Sequence, residues 1–345
     1  MNLNISLDLS TVLQPFLFAF FAFALSMAIT PLYTTLAYKY EWWKKARTNA
    51  VTGESATVYQ QLHAKKHRRN IPTMAGSIFV LTTLLITLVA NLSRVDTWLP
   101  LSAMVGAGCI GLVDDILNIR GFGGGIAGMR ASLKSWLIFA VAAVGGWWFY
   151  AKLDVTGIHV PFFGQLALGI FVIPLFVLVV VSCANAVNIS DGLDGLAGGL
   201  CVSAFSAYAI IAMLEGRYGI AGFCLTIVGA LLSYTWFNIF PARFFMGDVG
   251  SFALGTALGV VALLTDTVLI LPIIGLLFVT EAGSSLLQIA SKKLRNGKKI
   301  FKIAPIHHHF EASGWPETKV TMRFWIIGQI SAVIGILLYL LGRTP

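Results

Sequence analysis

Long apolar stretches separated by short polar segments occupy almost the whole chain. An α-helix crosses the hydrocarbon core of a bilayer with about 20 apolar residues, and shorter stretches can cross when they pack inside a bundle. On this measure the pattern predicts ten transmembrane helices. They cover approximately residues 12–38, 71–92, 98–113, 133–153, 165–187, 195–214, 218–240, 250–265, 267–290 and 322–341.

The composition agrees with a membrane protein. Of the 345 residues, 57% are hydrophobic and 11% are charged, which is too little charge for the surface of a soluble protein of this size. A secreted disulfide scaffold, a disordered chain and a cytosolic enzyme are therefore excluded. The four cysteines lie in apolar stretches without metal-ligand spacing, so no zinc site or disulfide is expected. We predict an all-α polytopic membrane protein in which residues 1–345 form a single integral membrane domain.

The basic residues gather in alternate loops. Loops rich in Lys and Arg remain in the cytoplasm, and the odd-numbered loops carry 20 of the 24 bases. This predicts that both termini lie outside and, in a bacterium, that the protein is in the inner membrane. No base precedes the first apolar stretch, so this stretch is expected to be a retained span and not a signal peptide. The net charge is +9, but the basic residues lie between apolar stretches and do not form a separate basic domain, so nucleic acid is not expected as a partner.

The acidic residues are few, and ten of the fifteen fall on the predicted cytoplasmic side. Asp114 and Asp115 end the third predicted span, and Asp191, Asp194 and Asp248 lie in two further short loops. Adjacent carboxylates at the edge of hydrocarbon repel each other and need a cation or a strong proton partner. A lone Asp pair would be read as a solvated helix end, but five carboxylates in three loops predict a site for Mg²⁺ and phosphate.

A polar triplet follows the fifth predicted span. Asn188, Asp191 and Asp194 are three residues apart, so on a helical turn all three could face one side. The neighbouring glycines leave room for a ligand, although small residues that pack membrane helices against each other are an equally good explanation for Gly198 and Gly199.

The last predicted cytoplasmic loop contains three consecutive histidines, His307, His308 and His309. Neighbouring side chains cannot easily reach one metal ion, so one or two of them are expected to contact substrate phosphate. The bases at 292–302 and 65–69 are expected to bind anionic lipid headgroups, and the latter group could also bind a phosphate-bearing substrate. Lys134 could bind a ligand or pair with Asp114 or Asp115.

Four sequence motifs together resemble those of the phospho-N-acetylmuramoyl-pentapeptide transferase family, within the polyprenyl-phosphate N-acetylhexosamine-1-phosphate transferase superfamily. They are VDD, NAVNISDGLDGLAGG, FFMGDVGS and PIHHHFEASGWPETKVTMRFW, and the similarity runs from about His63 to Trp325. The aspartate motifs mark the superfamily, and the triple-histidine stretch is specific to the muramoyl-pentapeptide branch. Asn118 departs from the pattern, because the family often has Lys there.

The resemblance implies ten helices, a homodimer, dependence on Mg²⁺ and a cytoplasmic cleft. It assigns Asp114 as a candidate base for the lipid phosphate, Asp248 and Asp115 as metal ligands, and Phe245 as a residue that stacks on uracil. The implied catalytic residues are Asp114, Asp115, Asp248, His307 and His308. The implied substrate-binding residues are Lys66, Thr73, Lys134, Asn188, Asp191, Asp194, Phe245, Gln288 and His309, with Arg68 as the alternative to Lys66 at the phosphate-binding position of the first loop.

The implied reaction transfers phospho-MurNAc-pentapeptide from its UDP carrier to undecaprenyl phosphate, giving lipid I and UMP. Direct attack by the lipid phosphate and a two-step route through an aspartyl-phosphate both remain open. One alternative is a related transferase that uses UDP-GlcNAc, which shares the aspartates but usually lacks PIHHHFE. Another is an ion-coupled transporter, in which intramembrane acids would line an ion path. Here the acids gather at one face, with Glu281 as the one candidate within a span.

Overall fold

The computed structural model describes residues 9–43, 70–121 and 128–343, and most of them are helical. The helices are α1 (Leu9–Lys39), α2 (Gly76–Ala90), α3 (Trp98–Arg120), α4 (Ala131–Ala151), α5 (Val172–Ser190), α6 (Leu196–Leu214), α7 (Tyr218–Asn238), α8 (Gly247–Leu264), α9 (Leu271–Ile274), α10 (Leu276–Leu294), α11 (Ile306–Glu311) and α12 (Glu317–Gly342). A hairpin of β1 (Gly157–Val160) and β2 (Gly164–Ala167) lies between α4 and α5, with Gly157 opposite Ala167. The all-α polytopic class predicted from sequence is confirmed.

Eight segments in the described part of the chain are long and apolar enough to cross a membrane. They are α1, α3, α4, residues 169–190, α6, α7, α8 and α12. The other two predicted spans correspond to α2, which is apolar but shorter at 15 residues, and α10, which carries Glu281 and two lysines. The count of ten crossings therefore stays a prediction.

Several predicted boundaries were wrong, and besides the three that follow, α2 begins at Gly76 and not at residue 71, and α12 begins at Glu317 and not at residue 322. The third span does not end at residue 113, because α3 continues to Arg120 and stops only at Gly121, where φ is 70°. The fifth begins later than residue 165, because residues 164–167 pair as a strand. The ninth is interrupted at Gly275, which separates the short α9 from α10. Hydropathy responds to apolar content and does not detect a hairpin or a bend within an apolar stretch.

The centre of the bundle is α8, whose apolar window is 94% buried. It packs between α3 and α5, while α7 packs between α1 and α6. Gly111 of α3 faces the backbone of α8 at Asp248 so closely that a Cβ at Gly111 would overlap it. Small residues allow membrane helices to approach to backbone contact, since lipid gives no hydrophobic drive for their association. This contact places the end of α3 beside the start of α8.

The loops segregate into two sets at opposite ends of the bundle. At the end named here the aspartate end, α3, α4 and α8 meet through Asp114, Lys134 and Asp248. At the opposite end, Asp96 pairs with Arg217 and Glu215 pairs with Arg343. Among the described residues, these contacts join loops that the sequence assigned to the same set, and the partition of all the loops stays a prediction. The side of the membrane that each set faces stays a prediction.

Candidate active site

Lys134 joins two carboxylates at the aspartate end. Its Nζ lies 3.0 Å from Asp114 Oδ2 and 2.8 Å from Asp248 Oδ2. Asp114 lies in the second half of α3 and is buried, whereas Asp248 lies in the first turn of α8 with 16% of its side chain exposed. Of the partners open to Lys134 in the sequence, the structure selects Asp114 and adds Asp248. An ammonium between two carboxylates offsets the repulsion that burying both would cause.

Two further groups hold the Asp114 carboxylate. The Asn118 side-chain amide donates to Oδ2 at 2.8 Å, and the backbone N–H of Met129 donates to Oδ1 at 2.7 Å. Asn118 also packs against Gly128, where a Cβ would collide with the amide. Sequence reasoning noted Asn118 only as a departure from a family pattern. Its i, i+4 spacing from Asp114 on one helix was the signal that could have identified it as a partner.

Asp115 is fully buried one residue further along α3. Its Oδ2 accepts the backbone N–H of Val249 at 3.1 Å, and it lies against Gly247 at the start of α8. Thr73, which is 2% exposed, also lies beside Gly247. The structure therefore brings Asp115, Thr73 and the first turn of α8 together, next to the Asp114 and Asp248 pair.

Phe245 lies where the segment before α2 crosses the segment before α8. Its N–H donates to the Pro72 carbonyl at 2.8 Å, and its carbonyl accepts the Ala75 N–H at 3.0 Å. These bonds fix the backbone two residues before Gly247, while the Phe245 side chain remains partly exposed. A partly exposed ring beside Asp248 is in a suitable place to contact a ligand. Lys66 belongs to this first loop but lies outside the described residues.

The polar triplet does not share one helical face as predicted. α5 ends at Ser190, and Gly195, with φ of 77°, begins a new helix. Asn188 donates to Ser251 of α8 at 2.8 Å, which links α5 to the helix that carries Asp248. Asp191 is half-buried in the turn that follows α5.

Asp194 is 2% exposed and connects two other segments. Its carboxylate accepts the Ala242 N–H at 3.0 Å, and its own N–H donates to Glu317 at 2.7 Å. These contacts fasten the turn after α5 to the loop before α8 and to the start of α12. Glu317 was recognised in the sequence only as part of a family motif and was given no role.

The three histidines take three different environments in and beside α11. His307 is fully buried, and its Nδ1 lies 2.8 Å from Oε2 of Glu281 on α10. His308 Nδ1 lies 2.7 Å from Glu311 Oε2 within the same helix. His309 Nδ1 accepts the backbone N–H of Lys302 at 3.1 Å. The rings of His307 and His308 are in edge contact, with centroids 4.1 Å apart, whereas the ring of His309 packs against Phe301.

Gln288 holds the loop that follows α10. Its carbonyl oxygen accepts the backbone N–H groups of Ile300 and Phe301, and its amide donates to the Phe301 carbonyl at 3.0 Å. The Gln288 side chain, which was expected to bind substrate, thus makes three hydrogen bonds to the backbone of the loop that follows α10. Within the described ranges, no three His, Cys, Asp or Glu residues are placed to hold a metal ion among themselves.

The residues of this centre lie in the part of the chain that matches a known protein family. The family model described as glycosyl transferase family 4 matches residues 97–266, which include the Asp pair, Lys134 and Asp248. A phospho-N-acetylmuramoyl-pentapeptide-transferase of Chloroflexus aurantiacus is 39% identical over 350 residues, covering 97% of the chain and 94% of the relative. Proteins with the same name from Thermodesulfovibrio yellowstonii and Clostridium novyi are 40% and 37% identical, over 80% and 92% of the chain and 81% and 94% of their own lengths.

Proposed function

We propose a mechanism from the premise that the chain belongs to the phospho-N-acetylmuramoyl-pentapeptide transferase family. It is a multi-pass membrane enzyme of the phospho-glycosyl transferase class, and its reaction forms lipid I for peptidoglycan synthesis. Phospho-MurNAc-pentapeptide passes from UDP-MurNAc-pentapeptide to undecaprenyl phosphate, and UMP is released. We place the catalytic centre at the aspartate end because the ammonium of Lys134 bridges the carboxylates of Asp114 and Asp248 there.

The reaction brings two anionic substrates together. An oxygen of the lipid phosphate forms a bond to the β-phosphorus of the donor while the bond from that phosphorus to the bridging oxygen breaks, and UMP leaves with the electron pair. Such transfers depend on positioning and on stabilising negative charge on the phosphoryl and leaving oxygens. Lys134 is the cation of this centre, with 21% of its side chain exposed, and in our proposal its ammonium turns from Asp248 to a substrate phosphate.

Two carboxylates have the right chemistry for Mg²⁺. This ion is usually bound by one or two carboxylates together with waters and substrate phosphates, so a cluster of three protein ligands is not required. Asp248 is partly exposed and Asp115 lies beside the first turn of the same helix, so these two would hold the ion. Bound there, Mg²⁺ would neutralise the charge of the donor diphosphate. We assign Asp114 to accept the proton of the lipid phosphate or to position it.

We assign the remaining substrate contacts from the position of each residue in the fold relative to Lys134 and its two carboxylates. Asn188 lies in the last turn of α5, which packs on α8, Asp191 directly follows that helix, and Phe245 lies three residues before Asp248. We assign the uridine to Phe245, the sugar to the turn after α5, and a phosphate oxygen to His308. Lys66 in the first loop completes the set as a phosphate contact. In this proposal the aspartate end faces the cytoplasm of a bacterial inner membrane, and the enzyme acts as a homodimer.

The decisive assay measures UMP release by purified protein with undecaprenyl phosphate, with either UDP-MurNAc-pentapeptide or UDP-GlcNAc as donor. We expect UMP release with UDP-MurNAc-pentapeptide and none with UDP-GlcNAc. Chelation of divalent ions should abolish this release, and added Mg²⁺ should restore it. Asp248→Asn should abolish activity, while Asp154→Asn, which changes an acid in a loop of the opposite end, should not. Release with UDP-GlcNAc only would identify the related transferase, and transport without release with either donor would contradict catalysis.

The direct route makes a separate prediction. Asp114 and Asp248 share Lys134, and Asp114 accepts two further hydrogen bonds, so we propose that the lipid phosphate and not a carboxylate attacks the donor. Enzyme given the UDP donor without lipid phosphate should release no burst of UMP. A stoichiometric burst, together with phosphate recovered on Asp114 or Asp248, would establish the two-step route in its place.

A further inference from the structure

Three chain segments meet at the ring of His307. On one side its Nδ1 lies 2.8 Å from Oε2 of Glu281, which belongs to α10. On the other side its Nε2 lies against Gly192, in the turn between α5 and α6, so closely that an added Cβ would overlap the ring. The ring therefore fills the space between α10 and the turn of residues 191–194.

His307 is as buried as Asp114 and Asp115, and it is less exposed than Lys134 and Asp248, the two groups of the active centre that are partly open. Its side chain is 1% exposed and that of Glu281 is fully buried, whereas Lys134 and Asp248 are 21% and 16% exposed. Lys134 and Asp248 can reach a bound substrate from where they lie. The ring of His307 is enclosed by protein on both of its nitrogen sides.

A carboxylate buried in an apolar bundle carries a large desolvation cost unless a partner compensates it. The ring of His307 supplies that partner for Glu281, because Nδ1 and Oε2 are 2.8 Å apart and share one hydrogen. The pair therefore fixes the orientation of the ring. A fixed ring in turn fixes its distance to Gly192.

We propose that His307 is a positioning residue, clamped between Glu281 and Gly192, and that Glu281 is a second positioning residue for the same reaction. The clamp holds the turn of residues 191–194 against α11, and so sets the position of Asp191 relative to His308. This inference rests on the proposed function, and it departs from the sequence-based expectation that His307 itself contacts phosphate.

Two substitutions separate positioning from direct contact. The amide nitrogen of Asn occupies the place of Nδ1, and the amide nitrogen of Gln occupies the place of Nε2. His307→Asn therefore keeps a hydrogen-bond partner for Glu281, and His307→Gln keeps only the group that would reach a substrate. We expect His307→Asn to retain kcat within about fivefold of the native enzyme, while His307→Gln and His307→Ala lose about 10- to 100-fold, as supporting residues typically do.

Each other pattern overturns the proposal. Activity kept by Gln and lost with Asn means that Nε2 contacts the substrate. Equal loss in both means that the imidazole itself is needed for the chemistry, and equal retention in both means that the ring has no role. Thermal unfolding of each purified variant is measured alongside, so that a protein that fails to fold is recognised. If a His307 variant fails to fold, the comparison of Gly192→Ala with Gly283→Ala tests the clamp in its place.

Gly192→Ala adds a methyl group on the Nε2 side of the His307 ring and removes no polar group. The added methyl would displace the ring, so the variant should show the kinetic defect of His307→Ala. Gly283→Ala is the matched control, because a Cβ there meets nothing within 4 Å. If Gly192→Ala is as active as Gly283→Ala, the proposed clamp is not needed.

Glu281→Gln completes the test. If the two residues act as one unit, the double variant Glu281→Gln with His307→Ala should be no worse than His307→Ala alone. Multiplicative losses would show that the two side chains act separately and would contradict the clamp. Failure of the proposed function has a different signature, namely that the native enzyme and all variants release no UMP from the muramoyl donor.

Discussion

Lys134 is the residue on which the candidate centre depends most directly. It is the ammonium shared by Asp114 and Asp248, and it is exposed enough to meet a substrate phosphate. Removing it would leave two neighbouring carboxylates without their common cation and would remove a cation from the transition state. Its effect should therefore appear in kcat and in the binding of the anionic donor.

Lys134→Gln should lower the rate of UMP release by about 100-fold or more, as the loss of one stabilising group in a charged transition state typically does. Steady-state kinetics with the muramoyl donor is the measurement. Lys152→Gln is the control, because Lys152 follows the same helix at its other end. Rates for Lys134→Gln equal to those of the control would rule out a role for the ammonium.

Asn118→Ala should reduce kcat about tenfold, because Asp114 loses one hydrogen bond of the kind that contributes about 1–1.5 kcal/mol. The KM of the nucleotide donor should change little, since Asn118 acts through Asp114. Asn185→Ala, which removes an amide that bonds to its own helix, serves for comparison. An increase in KM with unchanged kcat would indicate that Asn118 binds the donor instead.

At the scale of elements, the site depends on how closely α3 and α8 approach. Asp114 and Asp115 come from α3 and Asp248 from α8, and Gly111 permits the contact between these two helices. The sequence predicted both helices but placed the Asp pair at the end of the first one, because the apolar run stops there. The helix continues for about two more turns because residues 114–120 contain no glycine or proline to end it.

Gly111→Ala should destabilise the protein and lower activity together. An added Cβ would overlap the backbone at Asp248, and overpacking of this kind typically costs about 1–3 kcal/mol. The thermal unfolding midpoint and kcat are measured in parallel. Gly106→Ala, on the same helix with ordinary spacing to Val141, should leave both unchanged, and equal behaviour of the two variants would contradict the close approach.

At the scale of the whole molecule, the two ends carry different kinds of charge network. The aspartate end gathers acids around one lysine, whereas the opposite end forms ion pairs that link loops, including Glu215 with Arg343. Burial raises the pKa of Glu215 above its ordinary value, against the opposing effect of Arg343 and Arg217. This network fastens α6 to the end of α12 far from the candidate centre.

The raised pKa of Glu215 predicts a pH dependence of stability. The folded state holds the proton more tightly than the unfolded chain, so the contribution of Glu215 is fully present below its unfolded pKa of about 4.3 and is lost as pH rises through its folded pKa. The unfolding midpoint of the native protein should therefore fall relative to that of Glu215→Gln as pH rises over this range. A constant difference between the two would contradict the prediction, and the KM of the donor should not change.

Much of this protein was determined by its sequence alone. The spacing of apolar stretches gave the membrane class, the alternation of bases sorted the loops into two sets, and the scarcity of acids pointed to Asp114, Asp115 and Asp248. These features are local or additive, because hydrophobicity and charge act on each segment independently of its neighbours.

Only the tertiary structure decided which side chains meet. The sharing of Lys134 between two helices, the donors Asn118 and Met129 on Asp114, and the enclosure of His307 between Glu281 and Gly192 all join segments far apart in the chain. Such contacts require two backbones to approach so closely that an added methyl group would not fit between them. They also depend on the direction that the chain takes after a helix ends. Neither is encoded in the periodicity of a single segment, because both result from the packing of several segments at once.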